Sequence, residues 1–159
     1  MSNPFDFNYR DAIEVGHDTL AQEQYLERIG QVATVEVSSA EILDLNSTEK
    51  ELIAAPGAGK AIVIDEVVAF HDYGTATYAF SGDADIRYTD NSGDKAADSL
   101  AHVAFGEATA DAYQVSKGLT VAPVANAPVV LHAASADPTT GDGTFTLYIR
   151  YRVLDLSLA

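Results

Sequence analysis

The chain has 159 residues, 47% of them hydrophobic, which suits one globular domain with a sizeable core and excludes a disordered polymer. Its 24 acidic and 9 basic residues leave a net charge of −15, a surface that repels phosphate backbones and anionic membranes, so neither nucleic acid nor membrane is an expected partner. Zero cysteines exclude disulfides, thiolate metal sites and a thiol nucleophile.

Residues 1–30 read as an N-terminal arm, and residues 31–159 as a β domain. In the arm, Phe5, Phe7 and Tyr9 alternate with Asp6, Asn8 and Arg10 in a short strand pattern beside Pro4. The stretch from Asp18 to Gly30 predicts one helix, with Asp18 as its cap and Gly30 as its end. Its apolar residues Leu20, Tyr25, Leu26 and Ile29 form a ragged stripe. Three arrangements fit this arm: packing on its own domain, reaching onto a neighbouring subunit, or a partly ordered tail.

From Val32 onward β signals dominate. Val32, Val35 and Val37 predict a first strand, and Ser38 and Ser39 cap a short helical turn over residues 40–45, with Glu41 early in it. A second strand is expected at Glu51–Ala54. Next comes Ala54-Ala55-Pro56-Gly57-Ala58-Gly59-Lys60, which invites comparison with a phosphate-binding loop. The comparison fails at Ala54, where glycine is needed, at Ala61, where a metal-binding hydroxyl is needed, and in the Val/Ile-rich strand pattern that replaces the required helix. The stretch reads as a tight turn launching a long strand from Lys60 to Phe70.

Further strands are expected at Thr75–Phe80 and Ala84–Thr89, then a hairpin turn at Asp90–Asp94, whose Asn and Gly tolerate positive φ. Leu100–Phe105, Leu119–Val124 and Val129–Ala133 also read as strands, with Pro123 and Pro128 near strand ends, while residues 106–117 fit either a helical turn or a strand. The last strand is the clearest: Phe145, Leu147, Ile149, Tyr151 and Val153 alternate with Thr144, Thr146, Tyr148, Arg150 and Arg152. Many short strands joined by Gly/Asp/Pro turns predict an all-β, antiparallel β-sandwich or jelly-roll-like domain.

Few residues suggest chemistry. The four histidines, His17, His71, His102 and His132, lack metal-site spacing. The acidic loop pairs Asp83/Asp85, Asp90/Asp94 and Asp137/Asp142 suit either calcium or ordinary turns. Tyr78, Tyr88 and Tyr148 read as exposed aromatics that stack on a sugar or pair across strands. No Gly-x-Ser-x-Gly elbow is present, and nothing singles out a carboxylate pair, so the expectation is no enzyme, no cofactor and no metal.

Several segments carry a resemblance: Ser39–Ile42, Glu51–Lys60, Asp72–Thr75, Asn126–Leu131, Thr140–Gly143 and Tyr151–Val153. Together they resemble a family of small virion structural proteins of tailed bacteriophages, over the stretch from Val35 to the C-terminus. The resemblance implies a capsid decoration (cement) protein on the outside of the head, assembled in the host cytoplasm, commonly trimeric, with the major capsid protein as partner. Phe5, Phe7 and Tyr9 are the expected contacts, able to add a strand to a neighbour. A head-fibre, tail-fibre or baseplate module that binds host glycans is the alternative.

Overall fold

The computed structural model describes residues 30–158; residues 1–29 of the expected arm, with Phe5, Phe7, Tyr9 and His17, lie outside them. Eight strands follow in order: β1 (Gln31–Val37), β2 (Lys50–Ile53), β3 (Lys60–Asp72), β4 (Ala84–Tyr88), β5 (Lys95–Leu100), β6 (Ala112–Lys117), β7 (Val129–Ala133) and β8 (Thr144–Asp155). A four-residue helix, α1 (Ser39–Ile42), follows β1.

The strands form two antiparallel sheets, ordered β1-β8-β3-β6 and β2-β7-β4-β5. The antiparallel partners β1·β8, β2·β7, β3·β6 and β4·β5 are nested, the first strand with the last and so inward. A long hairpin rolled across two sheets gives this order, which makes the domain a jelly-roll β-sandwich. The core between the sheets holds Val37, Ile62, Val67, Ile86, Leu131, Phe145, Leu147 and Ile149, all fully buried.

In the β1-β8-β3-β6 sheet alternation explains most of this placement, with one irregularity. On β3, Ile62 and Ile64 face the core, and strict alternation would send Glu66 in after them. The register shifts between Ile64 and Glu66 instead, so Val67, Ala69 and His71 face inward and Glu66 faces out opposite Arg150. The extra residue, Asp65, bonds the Arg152 guanidinium at 2.9 Å. A bulge at this acidic pair keeps a carboxylate out of the core.

Three expected strands are absent. Residues 75–80 make only a single bridge, Ala79 to Thr139, because their N–H groups go elsewhere: Thr75 and Ala76 donate to Asp142, and Phe80 donates to Glu107. Residues 100–105 are not a strand. The Asp90–Asp94 turn sets Lys95 opposite Arg87, so pairing begins earlier and ends at Leu100. His102–Gly106 then forms a π-helical turn, in which the Gly106 and Glu107 N–H groups reach back five residues to Ala101 and His102. Residues 119–124 run along the sandwich margin: Leu119 bonds Ala96, and Pro123 has no N–H to give a ladder. Of the ambiguous stretch 106–117, residues 112–117 form strand β6.

Candidate functional site

The Gly-Ala-Gly-Lys turn joins the two sheets, leaving β2 in one and starting β3 in the other. Gly57 (φ +101°) and Gly59 (φ +74°) supply its left-handed backbone. Asn126 clasps it: the Gly57 N–H donates to Asn126 Oδ1 at 3.0 Å, and the Asn126 N–H donates to the Lys60 carbonyl at 2.8 Å. The Gly57 and Lys60 amide groups are therefore engaged in building a corner of the sandwich.

A second clasp closes on Asp142. Its carboxylate accepts from Thr75 N–H (2.7 Å), Thr75 Oγ1 (2.6 Å) and Ala76 N–H (2.9 Å), and these bonds, Thr75's hydroxyl foremost, hold its pKa below the usual carboxylate range. Beside it, Tyr78 donates to the Gly143 carbonyl at 2.6 Å and packs with Phe80, Phe145 and His71. His71 is buried, with Nδ1 2.8 Å from the Phe105 carbonyl; a carbonyl only accepts, so Nδ1 carries the proton. His71 Nε2 has no hydrogen-bond partner among the described residues.

The remaining acidic loops are likewise occupied. Asp137 accepts from Asn46 N–H, Ser47 N–H and Ser47 Oγ, tying the turn after α1 to the loop before β8. Asp83 accepts from His102, and Asp90 closes a local turn on Ser92. Asp85 is 2% exposed; burial pushes its pKa up, and bonds from Lys95, Ser99 and Arg87 outweigh that and hold it low. Among the described residues no group of three His, Asp or Glu side chains is arranged to hold a metal ion. His71, His102 and His132 each sit in separate surroundings, with His132 buried on β7. A shallow groove of about 220 Å³, lined by Ala40, Glu41, Asp44, Thr48, Glu49 and Lys50, is smaller than ordinary ligand pockets.

The tyrosines divide differently from expectation. Tyr78 and Tyr88 are buried, Tyr88 donating to the Ile62 carbonyl at 2.9 Å, so neither offers a ring to a ligand. Tyr148 is exposed, and it belongs to a surface that single-strand reading missed. The outer face of the β1-β8-β3-β6 sheet carries four of the seven exposed large hydrophobics, Val32, Tyr113, Val115 and Tyr148, which makes it the main apolar surface of the described domain. Register sets them side by side: Thr34, Tyr148, Val68 and Val115 form one row across the four strands, and Glu36, Thr146, Phe70 and Tyr113 form the next. The signal lay in the odd-numbered positions of residues 112–117, unreadable until that stretch was known to be an edge strand.

Comparison of the chain with protein-family models, with curated proteins and with solved structures returns no match.

Proposed function

We propose that this chain is a structural component of a bacteriophage particle, a decoration protein that binds the outside of the head through the major capsid protein and acts as a homo-oligomer. The observation that carries this reading is the pairing of the resemblance segments. Glu51–Lys60 and Asn126–Leu131 meet in the Gly57–Asn126 clasp, and Asp72–Thr75 meets Thr140–Gly143 in the Thr75–Asp142 clasp. Segments 69 and 67 residues apart in the chain thus act as matched halves of one framework, which supports a likeness of whole fold over a likeness of isolated turns. A net charge of −15 suits a position outside a DNA-filled shell, where no phosphate must be approached.

Phe5, Phe7 and Tyr9 are the proposed capsid contacts, an extended aromatic segment of the kind that adds a strand to a neighbour's sheet edge. Purified protein binds expanded capsids in a pelleting assay under this reading. A triple substitution of Phe5, Phe7 and Tyr9 to Ala weakens that binding by roughly a hundredfold, since aromatic anchors dominate such contacts. Failure of the unaltered protein to pellet with capsids at micromolar concentration would overturn the proposal.

The exposed rings of Tyr113 and Tyr148 favour a second reading, a fibre or baseplate module that stacks on host glycans. Glycan-array binding lost on Tyr148→Ala, with immunogold label on the tail, selects it over the first.

A further inference from the structure

We infer that the outer face of the β1-β8-β3-β6 sheet is an isologous interface, and that it takes a second copy of this chain around a two-fold axis running parallel to the strands between β8 and β3. The inference goes beyond the particle reading and does not depend on it.

The face differs in charge from the rest of the molecule. Residues 31–159 hold 7 basic and 18 acidic side chains, a balance of −11. Three of those seven basic residues, Lys117, Arg150 and Arg152, stand on this one face, with Glu36, Asp65 and Glu66 and, at its far end, Asp72. Elsewhere two copies repel each other; here the charges nearly cancel around an apolar centre.

The register makes the pattern self-complementary. A two-fold axis between the central strands lays β8 of one copy on β3 of the other and keeps each cross-strand row in place. In the row Val32, Arg150, Glu66, Lys117, this sets Arg150 against the second copy's Glu66 and Glu66 against its Arg150. In the next row it sets Tyr148 against Val68, twice over, and Thr34 against Val115. In these two rows the residues of the central strands thus meet their chemical complements, and in the row after them Thr146 meets Phe70. A head-to-tail contact would not give this, because rows would then meet rows of different composition.

The size fits a modest dimer. Four strands about 4.8 Å apart and seven residues rising about 3.3 Å each give a face of roughly 19 by 23 Å. Side chains standing from it add accessible area, which places the pair at the lower end of specific interfaces.

Sedimentation equilibrium on the full-length chain over a micromolar concentration series tests this. The expected result is a reversible monomer–dimer equilibrium reaching twice the 16.8 kDa chain mass. Tyr148→Asp, Arg150→Glu and Glu66→Arg each weaken the dimer by roughly tenfold or more, through desolvated or like-charge contacts. Mixing the Arg150→Glu and Glu66→Arg variants restores it. In that mixed pair the introduced carboxylate of one chain faces the introduced guanidinium of the other, and the native Glu66 of the first faces the native Arg150 of the second. That rescue occurs only between chains, so a local effect on folding does not mimic it, and circular dichroism on each variant checks the fold directly. A trimer mass, a monomer at all concentrations, or variants that fail to complement when mixed would each overturn the inference; monomer would assign the face to residues 1–29 or to another partner.

Discussion

Asp85 is the residue whose removal should be felt most among the polar groups. It holds Arg87 at 2.6 Å and Lys95 at 2.9 Å, with Ser99 Oγ at 2.6 Å, so one carboxylate is the shared partner of two cations. Asp85→Asn keeps the shape and leaves the two cations facing a neutral amide. Because Lys95 is partly solvated, the expected loss is about 2–3 kcal/mol, below that of a fully buried broken pair. A urea titration measures it, and a loss below the error of the fit would refute the assigned role. Glycines separate two effects at the same scale. Gly57 and Gly141 both have positive φ, but a methyl at Gly57 meets nothing within 4 Å, whereas one at Gly141 runs into the Tyr78 ring. Gly57→Ala should therefore cost about 1 kcal/mol of backbone strain, and Gly141→Ala about 3 kcal/mol from strain plus packing. Equal losses would show that the aromatic cluster yields freely.

At the scale of elements, α1 is four residues long and cannot stand on propensity. Its reciprocal cap sustains it: the Glu41 N–H donates to Ser38 Oγ at 3.4 Å, and the Ser38 N–H donates to Glu41 Oε2 at 2.9 Å. Lys50, at the start of β2, bonds the other oxygen of Glu41 at 2.5 Å, which links the helix to the facing sheet. Ser38→Ala should lower stability by about 1 kcal/mol, read as a shift in urea midpoint at constant slope. This cap was legible in the sequence, since Ser-x-x-Glu is a local signal. So were β1, β7 and β8, whose apolar patterns are strong enough to decide alone. Residues 75–80 were not legible, because Thr, Tyr and Phe favour a strand and only distant Asp142 and Glu107 draw their N–H groups away. The surface residue Tyr113 was missed for a related reason: whether it points in or out depends on the register of β6 against β3, which no local pattern states.

For the whole molecule, the acidic surface and the clasps act together on pH dependence. Glu41 is held at about 2, by the Lys50 bond first and then by Ser38, and Asp83, Asp85, Asp137 and Asp142 also lie below their ordinary values. Each folded-state value is depressed, so each group adds stability that is complete above its unfolded pKa near 4 and is lost as pH falls through the folded value. Protonation also relieves the self-repulsion of a −15 chain, which opposes the loss at first. Urea midpoints measured stepwise should therefore fall most steeply between about pH 4 and pH 2. A midpoint that climbs throughout that range would mean the clasps contribute little.

Composition and periodicity by themselves determined that this is an all-β sandwich with an acidic surface, that the Gly-Ala-Gly-Lys stretch is a tight turn into a strand and not a phosphate loop, and where the longest strands run. Those properties follow from side-chain alternation and backbone sterics, which act over a few residues and are written locally. Only the tertiary structure decided that Asn126 and Asp142 close two corners of the fold, that Tyr78 and Tyr88 are core while Tyr113 and Tyr148 are surface, and that scattered apolar residues assemble into one face. These depend on register between strands far apart in the chain, and register is set by the packing of the whole sandwich.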